Sequence, residues 1–280
     1  MFSRQDNPQA LHKSLQLFIE EWFAHKKPWY GVDETKLNEI EMPEPLKWLY
    51  GFAGEWYGRK YYWETLFSHQ DSLFPVELLK LVDGKLVFLY ENQGVWDMAT
   101  LPSGEDPPVW YRYAQDKSYG EWILIDDSLS RFLVNFLLFE VVCGCRFRTQ
   151  SENLIRCFKE RGAHVVPLWL DAPYPGLTAD SSRQRKFSFH LADGKFLIHN
   201  NSACGTNIDA PWHEYPDLFK PENEPTKLGE TWPLPASRGI PPLIQIELLK
   251  RKIREIEPIM EDYKRRIEQY KQAIRELEKQ

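Results

Sequence analysis

The sequence predicts an α+β fold: N-terminal helices packed on a mainly antiparallel sheet, an added β element, and a C-terminal coiled-coil helix. Three observations carry that expectation. Apolar residues at helical spacing open the chain. Short runs of β-branched and aromatic residues, separated by turn signals, fill its middle. A heptad pattern closes it.

Asn7-Pro8 is a helix start, with Asn7 as N-cap and Pro8 in the first turn. Leu11, Leu15, Phe18 and Trp22 then recur at helical spacing, and the helix should stop before Pro28. Pro43 to Ala53 reads as a second helix that carries Leu46, Trp48, Leu49 and Tyr50 to the core, with Gly54 as its stop. Leu73 to Tyr90, with the Asp83-Gly84 turn inside it, and Val95 to Thr100 read as the first strands. Val109 to Ala114 and Glu121 to Ile125 read as two more. Asp127 or Ser128 then caps a helix whose buried stripe is Leu129, Phe132, Leu133, Phe136, Leu137 and Val141.

Further on, Ser151 is placed to cap a helix that runs through Lys159 and ends at Gly162. Val165 to Trp169 and Phe187 to His190 read as strands, and Asp193-Gly194 turns the chain into Phe196, Leu197 and Ile198. LVDGKLVFLYEN and LADGKFLIHNN are alike, which a shared turn type explains more simply than duplication. Prolines crowd the segment from Pro211 to Pro242 and exclude a long helix or central strand. That segment should wrap the surface, pinned by Trp212, Tyr215, Phe219 and Trp232. Finally Ile246, Ile253, Met260, Ile267 and Ile274 alternate with Leu249, Ile256, Tyr263, Tyr270 and Leu277 as heptad core positions, with Pro258 facing outward. This Ile246–Leu277 helix pairs with a second copy, folds back, or binds another protein. Its flanking charges slightly favour an antiparallel homodimer.

Composition narrows the function. The 280 residues are 42% hydrophobic and 14% aromatic, which suits a substantial core. A net charge of −6 argues against sequence-independent binding of nucleic acid, which depends on Lys and Arg meeting phosphates. No apolar run is long enough to cross a membrane, and no secretory leader pattern follows Met1. The reading is a reduced, cytoplasmic protein with no nucleic-acid or membrane partner.

No nucleotide, zinc-protease or serine-hydrolase motif occurs. Cys143 and Cys145 lack the ligand number and spacing of a zinc site and read as buried small side chains, so no metal or cofactor is expected. His190 and His199 are expected to face each other across a hairpin, with His213, Asp209 or Glu214 as acid–base companions. A plain sheet surface is the simpler account, and no catalytic residue is assigned. Glu91, Asn92 and Gln93 are the sharpest polar cluster. They read as a binding edge, or as groups that satisfy the backbone where the strand bends at Gly94. Asp97, Glu105, Asp106, Asp116, Asp126 and Asp127 give the middle an acidic cast that would suit a basic partner near Trp96, Trp110 and Tyr111.

ENQGVW after an aromatic strand, then DPPVW, then a helix opened by SLSRFL, resemble the SUKH superfamily in that order. The resemblance spans roughly residues 10 to 142. The superfamily includes bacterial immunity proteins that neutralise toxins, and a yeast regulator of cell-wall glucan synthesis of the Smi/Knr type. Met98 stands where the family usually places a second aromatic. The resemblance implies a SUKH-like domain over 1–145, and the residues themselves add a helix, hairpin and Pro-rich wrap over 146–240 and the coiled coil over 241–280. It further implies a non-catalytic module that binds a protein, an immunity-type protein facing a basic toxin domain. Glu91, Asn92, Gln93, Trp96, Glu105, Asp106 and Trp110 would bind the partner. The other expectation is a regulatory scaffold assembled through the coiled coil.

Overall fold

A computed structural model of the chain describes residues 2, 6–23, 30–56, 66–67, 70–115, 118–176 and 184–219. The expected coiled coil and Trp232 lie outside them. Helix α1 (Pro8–Phe18) begins as its sequence dictates, the Asn7 carboxamide oxygen accepting the Ala10 N–H at 2.9 Å. A π turn, Ile19–Phe23, extends it. Leu11, Leu15, Ile19 and Phe23 are buried, whereas Phe18 and Trp22 are half-buried and stacked on each other. A four-residue spacing outruns an α-helical turn, and the wider π turn keeps Ile19 and Phe23 on the Leu11–Leu15 row.

Asp33 caps the short α2 (Glu34–Asn38), which the sequence reading did not contain. In α3 (Glu44–Ala53), Leu46, Leu49 and Tyr50 are enclosed, and Trp48 stacks on His12 with centroids 4.3 Å apart. Gly54 does end α3, though not as a left-handed cap, since its φ is −58°. A Cβ there would lie 2.7 Å from Tyr50 O and 2.8 Å from Val32 Cγ2, so close packing demands the glycine.

The first sheet is antiparallel: β1 (Asp71–Leu73), β2 (Lys80–Val82), β3 (Lys85–Glu91), β4 (Trp96–Thr100), β5 (Val109–Gln115), β6 (Ser118–Tyr119) and β7 (Ile123–Asp126). The stretch from Leu73 to Tyr90, expected to be strand about a turn at Asp83-Gly84, is divided among three strands. Pro75 has no N–H to give a ladder and opens the 3₁₀ turn Val76–Leu78, and Asp83-Gly84 makes the expected tight turn with both φ positive. β3, β4 and β5 form the central meander. β1 and β2 share one edge of β3, and β6 and β7 share one edge of β5.

Helix α4 (Leu129–Gly144) organises the core. Ser128 caps it, its Oγ accepting the Arg131 N–H at 3.1 Å. The expected stripe is buried, and so are Ser130, Val134, Asn135, Leu138, Glu140 and Val142. The helix is enclosed nearly all round because a second sheet packs on the side opposite the first. Phe132 bridges the two, with its ring 6.2 Å from Phe88 on β3 and 5.9 Å from Tyr174 on the second sheet. Fully burying each such side chain contributes about 1.5–3 kcal/mol.

That second sheet contains β8 (Phe147–Gln150), β9 (Val165–Tyr174), β10 (Arg185–Ala192), β11 (Phe196–His199) and β12 (Ala203–Thr206), ordered β8-β12-β11-β10-β9 and wholly antiparallel. Its helix α5 (Leu154–Glu160) is not capped by Ser151. Asn153 precedes it at φ 56°, and Asn201 of the β11–β12 turn accepts the Ile155 N–H at 2.6 Å instead. One face of the sheet joins the α4 core through Trp169, Tyr174, Phe187, Phe189 and Leu197. The other forms a second core of Phe147, Phe158, Phe196 and Ile198 under α5 and the segment after Pro211. Tyr215 and Phe219 pin that segment as expected, packing on Phe196 at 4.9 and 5.7 Å, while Trp212 meets Phe147. The hydrophobic core therefore runs unbroken across residues 145 and 146.

Candidate protein-binding face

The outer face of the first sheet, turned away from α4, is largely buried at its centre, with Val87, Tyr90, Asp97, Ala99 and Arg112 all enclosed, and opens at Tyr119 and Leu124. Strand alternation and register place two rows of side chains there. Tyr90, Asp97 and Arg112 form one, and Val87, Ala99, Trp110 and Leu124 the other. The opposite side of the same strands carries Leu89, Met98 and Tyr111 to the core. Met98 is completely enclosed, a flexible thioether packed into the core.

Arg112 is the centre of the outer face. It is only 5% exposed and pairs with Asp97, its NH2 3.2 Å from the carboxylate. Its guanidinium lies 3.8 Å from the Tyr119 ring centre and 4.4 Å from that of Trp122. Burial raises the Asp97 carboxyl, and Arg112 holds it back down. Trp122 donates its indole N–H to Asp83 at 3.3 Å, so a side chain before β7 spans to the β2–β3 turn. Two further cations lie over rings: Lys85 at 4.8 Å from Trp110 and Lys80 at 6.0 Å from Phe74. Tyr119 and Leu124 remain 47% and 50% exposed.

The seven residues expected to bind a partner separate into different roles. Trp110 stands half-buried on this face. Trp96 is 2% exposed on the core side, edge-on to Tyr174 at 5.9 Å, and offers no surface. Glu91 is also enclosed, and its carboxylate accepts the N–H groups of Gln93 at 2.7 Å and Val95 at 3.2 Å. The strand-bend reading of this cluster therefore describes Glu91. Asn92 is half-buried and Gln93 exposed. Asp106 accepts from the Ser128 hydroxyl and the Ser130 N–H, tying its loop to the start of α4, while Glu105 is exposed. Several of the acidic groups are already engaged by the fold's own cations. Asp97 pairs with Arg112, Asp126 and Asp127 both pair with Arg131, and Asp116 lies outside the described residues.

Sequence reasoning missed the Arg112 cage, although alternation along Val109-Trp110-Tyr111-Arg112-Tyr113 puts Trp110 and Arg112 on one face. It also missed a hydroxyl–imidazole–carboxylate cluster, in which His12 Nε2 lies 3.0 Å from Ser130 Oγ beside Asp106. Burial lowers the His12 pKa to about 4 against the opposing Asp106 charge. Asp106 bonds to the two serines, and Ser130 is fully enclosed, so the cluster clamps α1 to the start of α4.

His190 and His199 do not face each other. The register sets His199 opposite Phe189 and His190 opposite Ile198, on different faces of the sheet. His199 wedges among Phe139, Phe187 and Phe189, and burial lowers its pKa to about 4. Asp209 and Glu214 pair with Arg146 and Lys195 rather than with a histidine. Cys145 and Cys204 are buried as small apolar side chains, and no group of three or more His, Cys, Asp or Glu among the described residues has the arrangement to hold a metal. No described helix is long and apolar enough to cross a membrane.

Compared with known proteins, the chain matches no family model, no curated protein and no solved structure. The fold places it among α+β proteins with two antiparallel sheets about a shared helix. The SUKH resemblance rests on the residues that carry it.

Proposed function

We propose that this chain is a non-catalytic protein-binding module, cytoplasmic and of the immunity type, that uses the outer face of its first sheet to grip a toxin domain. One observation carries the reading: the rings of Trp110, Tyr119 and Trp122 lie together on one sheet face, Tyr119 and Trp122 over a buried Arg112. Trp, Tyr and Arg are the side chains that most often dominate binding energy at protein interfaces. Tyr119 and Trp122 are held over Arg112 before any partner arrives, which lowers the ordering cost of association. The net charge of −6 would steer a basic toxin toward the molecule at long range, with the aromatic face making the contact. The SUKH resemblance supplies the toxin class.

The test is affinity purification from the native cell with the wild-type chain and with a Trp110→Ala, Tyr119→Ala double variant. The wild type should retain a toxin-domain protein that the variant releases, with the variant's unfolding midpoint little changed. A variant that retains the same partner at full strength would exclude this face.

A further inference from the structure

Asp71, on β1 at the edge of the first sheet, is 1% exposed. Its Oδ2 accepts the Tyr174 hydroxyl of β9, in the second sheet, at 2.5 Å. Its backbone N–H donates to Glu140 of α4 at 2.8 Å. Its other oxygen, Oδ1, has no hydrogen-bond partner among the described residues. Tyr174 is locked from every side, with ring centres of Phe187 at 4.4 Å, Phe139 at 5.7 Å, and Trp96 and Phe132 at 5.9 Å. The Asp71–Tyr174 bond thus joins the two sheets at a place closed to water.

We propose that Asp71 and Tyr174 form a proton-operated latch between the sheets, closed while Asp71 carries a proton and loosened when it loses it. The surroundings decide the sign. Around Asp71 stand Glu91 of β3, Glu140 and Cys143 of α4, and Tyr174 of β9. Among the described residues no cation pairs with it. Glu91 and Glu140 each accept backbone N–H groups. Asp71 accepts only the Tyr174 hydroxyl and its buried Oδ1 accepts no hydrogen bond among the described residues, so a charge there is poorly solvated. Burial is the largest influence and lifts its pKa to about 7, the Tyr174 bond opposes that rise, and the Glu91 charge adds to it. Above that pH the site holds a second carboxylate charge beside Glu91, with little to solvate it. Opening the junction hydrates the charge.

Hydrogen exchange of the full chain, corrected for the intrinsic pH dependence of the chemistry, reads the latch directly. Opening of the β1 and β9 segments should rise about tenfold between about pH 6 and about pH 8 in the wild type. In Asp71→Asn it should not rise. An equal rise in Asp71→Asn, or none in the wild type, would overturn the latch. If Asp71→Asn does not fold, carbon-13 titration of the wild-type aspartate carboxyls decides. One resonance titrating near neutral pH supports the latch, and every resonance titrating below about pH 5 removes it.

Discussion

Trp96 and Trp110 lie on paired strands of the same sheet, Trp96 opposite Tyr113 and Trp110 opposite Ala99, so strand alternation turns one to the core and the other outward. Trp96 sits among core rings, so Trp96→Ala should cost about 3–5 kcal/mol and lower the denaturation midpoint clearly. Trp110→Ala removes a half-buried ring and should leave that midpoint nearly in place while weakening the partner. Equal losses of stability would contradict the division between the two faces. The buried imidazoles give a second residue-level expectation. The folded-state pKa values of His12 and His199 are both lowered to about 4 from 6.5. The unfolded chain therefore binds more protons through that window, and stability should fall as pH drops from about 6.5 toward 4. Phenylalanine at position 199 should flatten part of the slope, as urea titrations across the range would show. An unchanged slope would mean His199 is not held neutral.

At the scale of elements, Gly205 of β12 packs tightly against the C-terminal end of α4. A Cβ there would come within 2.7 Å of Cys145 Sγ and 2.8 Å of Val142 O, the second a backbone atom that cannot swing away. Gly205→Ala should therefore cost about 1–3 kcal/mol through overpacking, although alanine is ordinarily harmless in a strand. A midpoint equal to wild type would show that the two elements can part without penalty. Gly194, with open space around it and φ +67°, would suffer from its backbone conformation instead. Edge strand β9 carries Pro167 and Pro173, which withhold N–H groups where another chain might add itself.

For the molecule as a whole, charge and assembly are the open variables. Glu105 is the exposed carboxylate of its loop, whereas Asp106 holds the start of α4, so only Glu105→Lys tests steering without disturbing the fold. Association with a basic partner should slow as salt rises and slow further in Glu105→Lys, measured by stopped flow. An on-rate indifferent to both would remove the steering. Sedimentation of the full chain beside a chain ending at Ile240 reads the heptads. Self-association confined to the longer one supports pairing through Ile246–Leu277, and monomers in both cases point to a fold-back or another protein.

Local chemistry made much of the fold legible in advance. Asn7-Pro8, Ser128, Asp83-Gly84 and Asp193-Gly194 each act within a few residues of themselves, so the sequence alone determined the helix starts and hairpin turns. Glu91 was legible as a strand-bend group for the same reason. What only the tertiary structure decided was which apolar faces meet. Nothing local shows that α4 is wrapped on both sides, because a second sheet supplies the other wall. Nothing local shows that Asp71 meets Tyr174, which is separated from it by |i−j| = 103, or that Arg112 lies between Tyr119 and Trp122. Such groups acquire their burial, and with it their chemistry, only when distant elements close around them and exclude water.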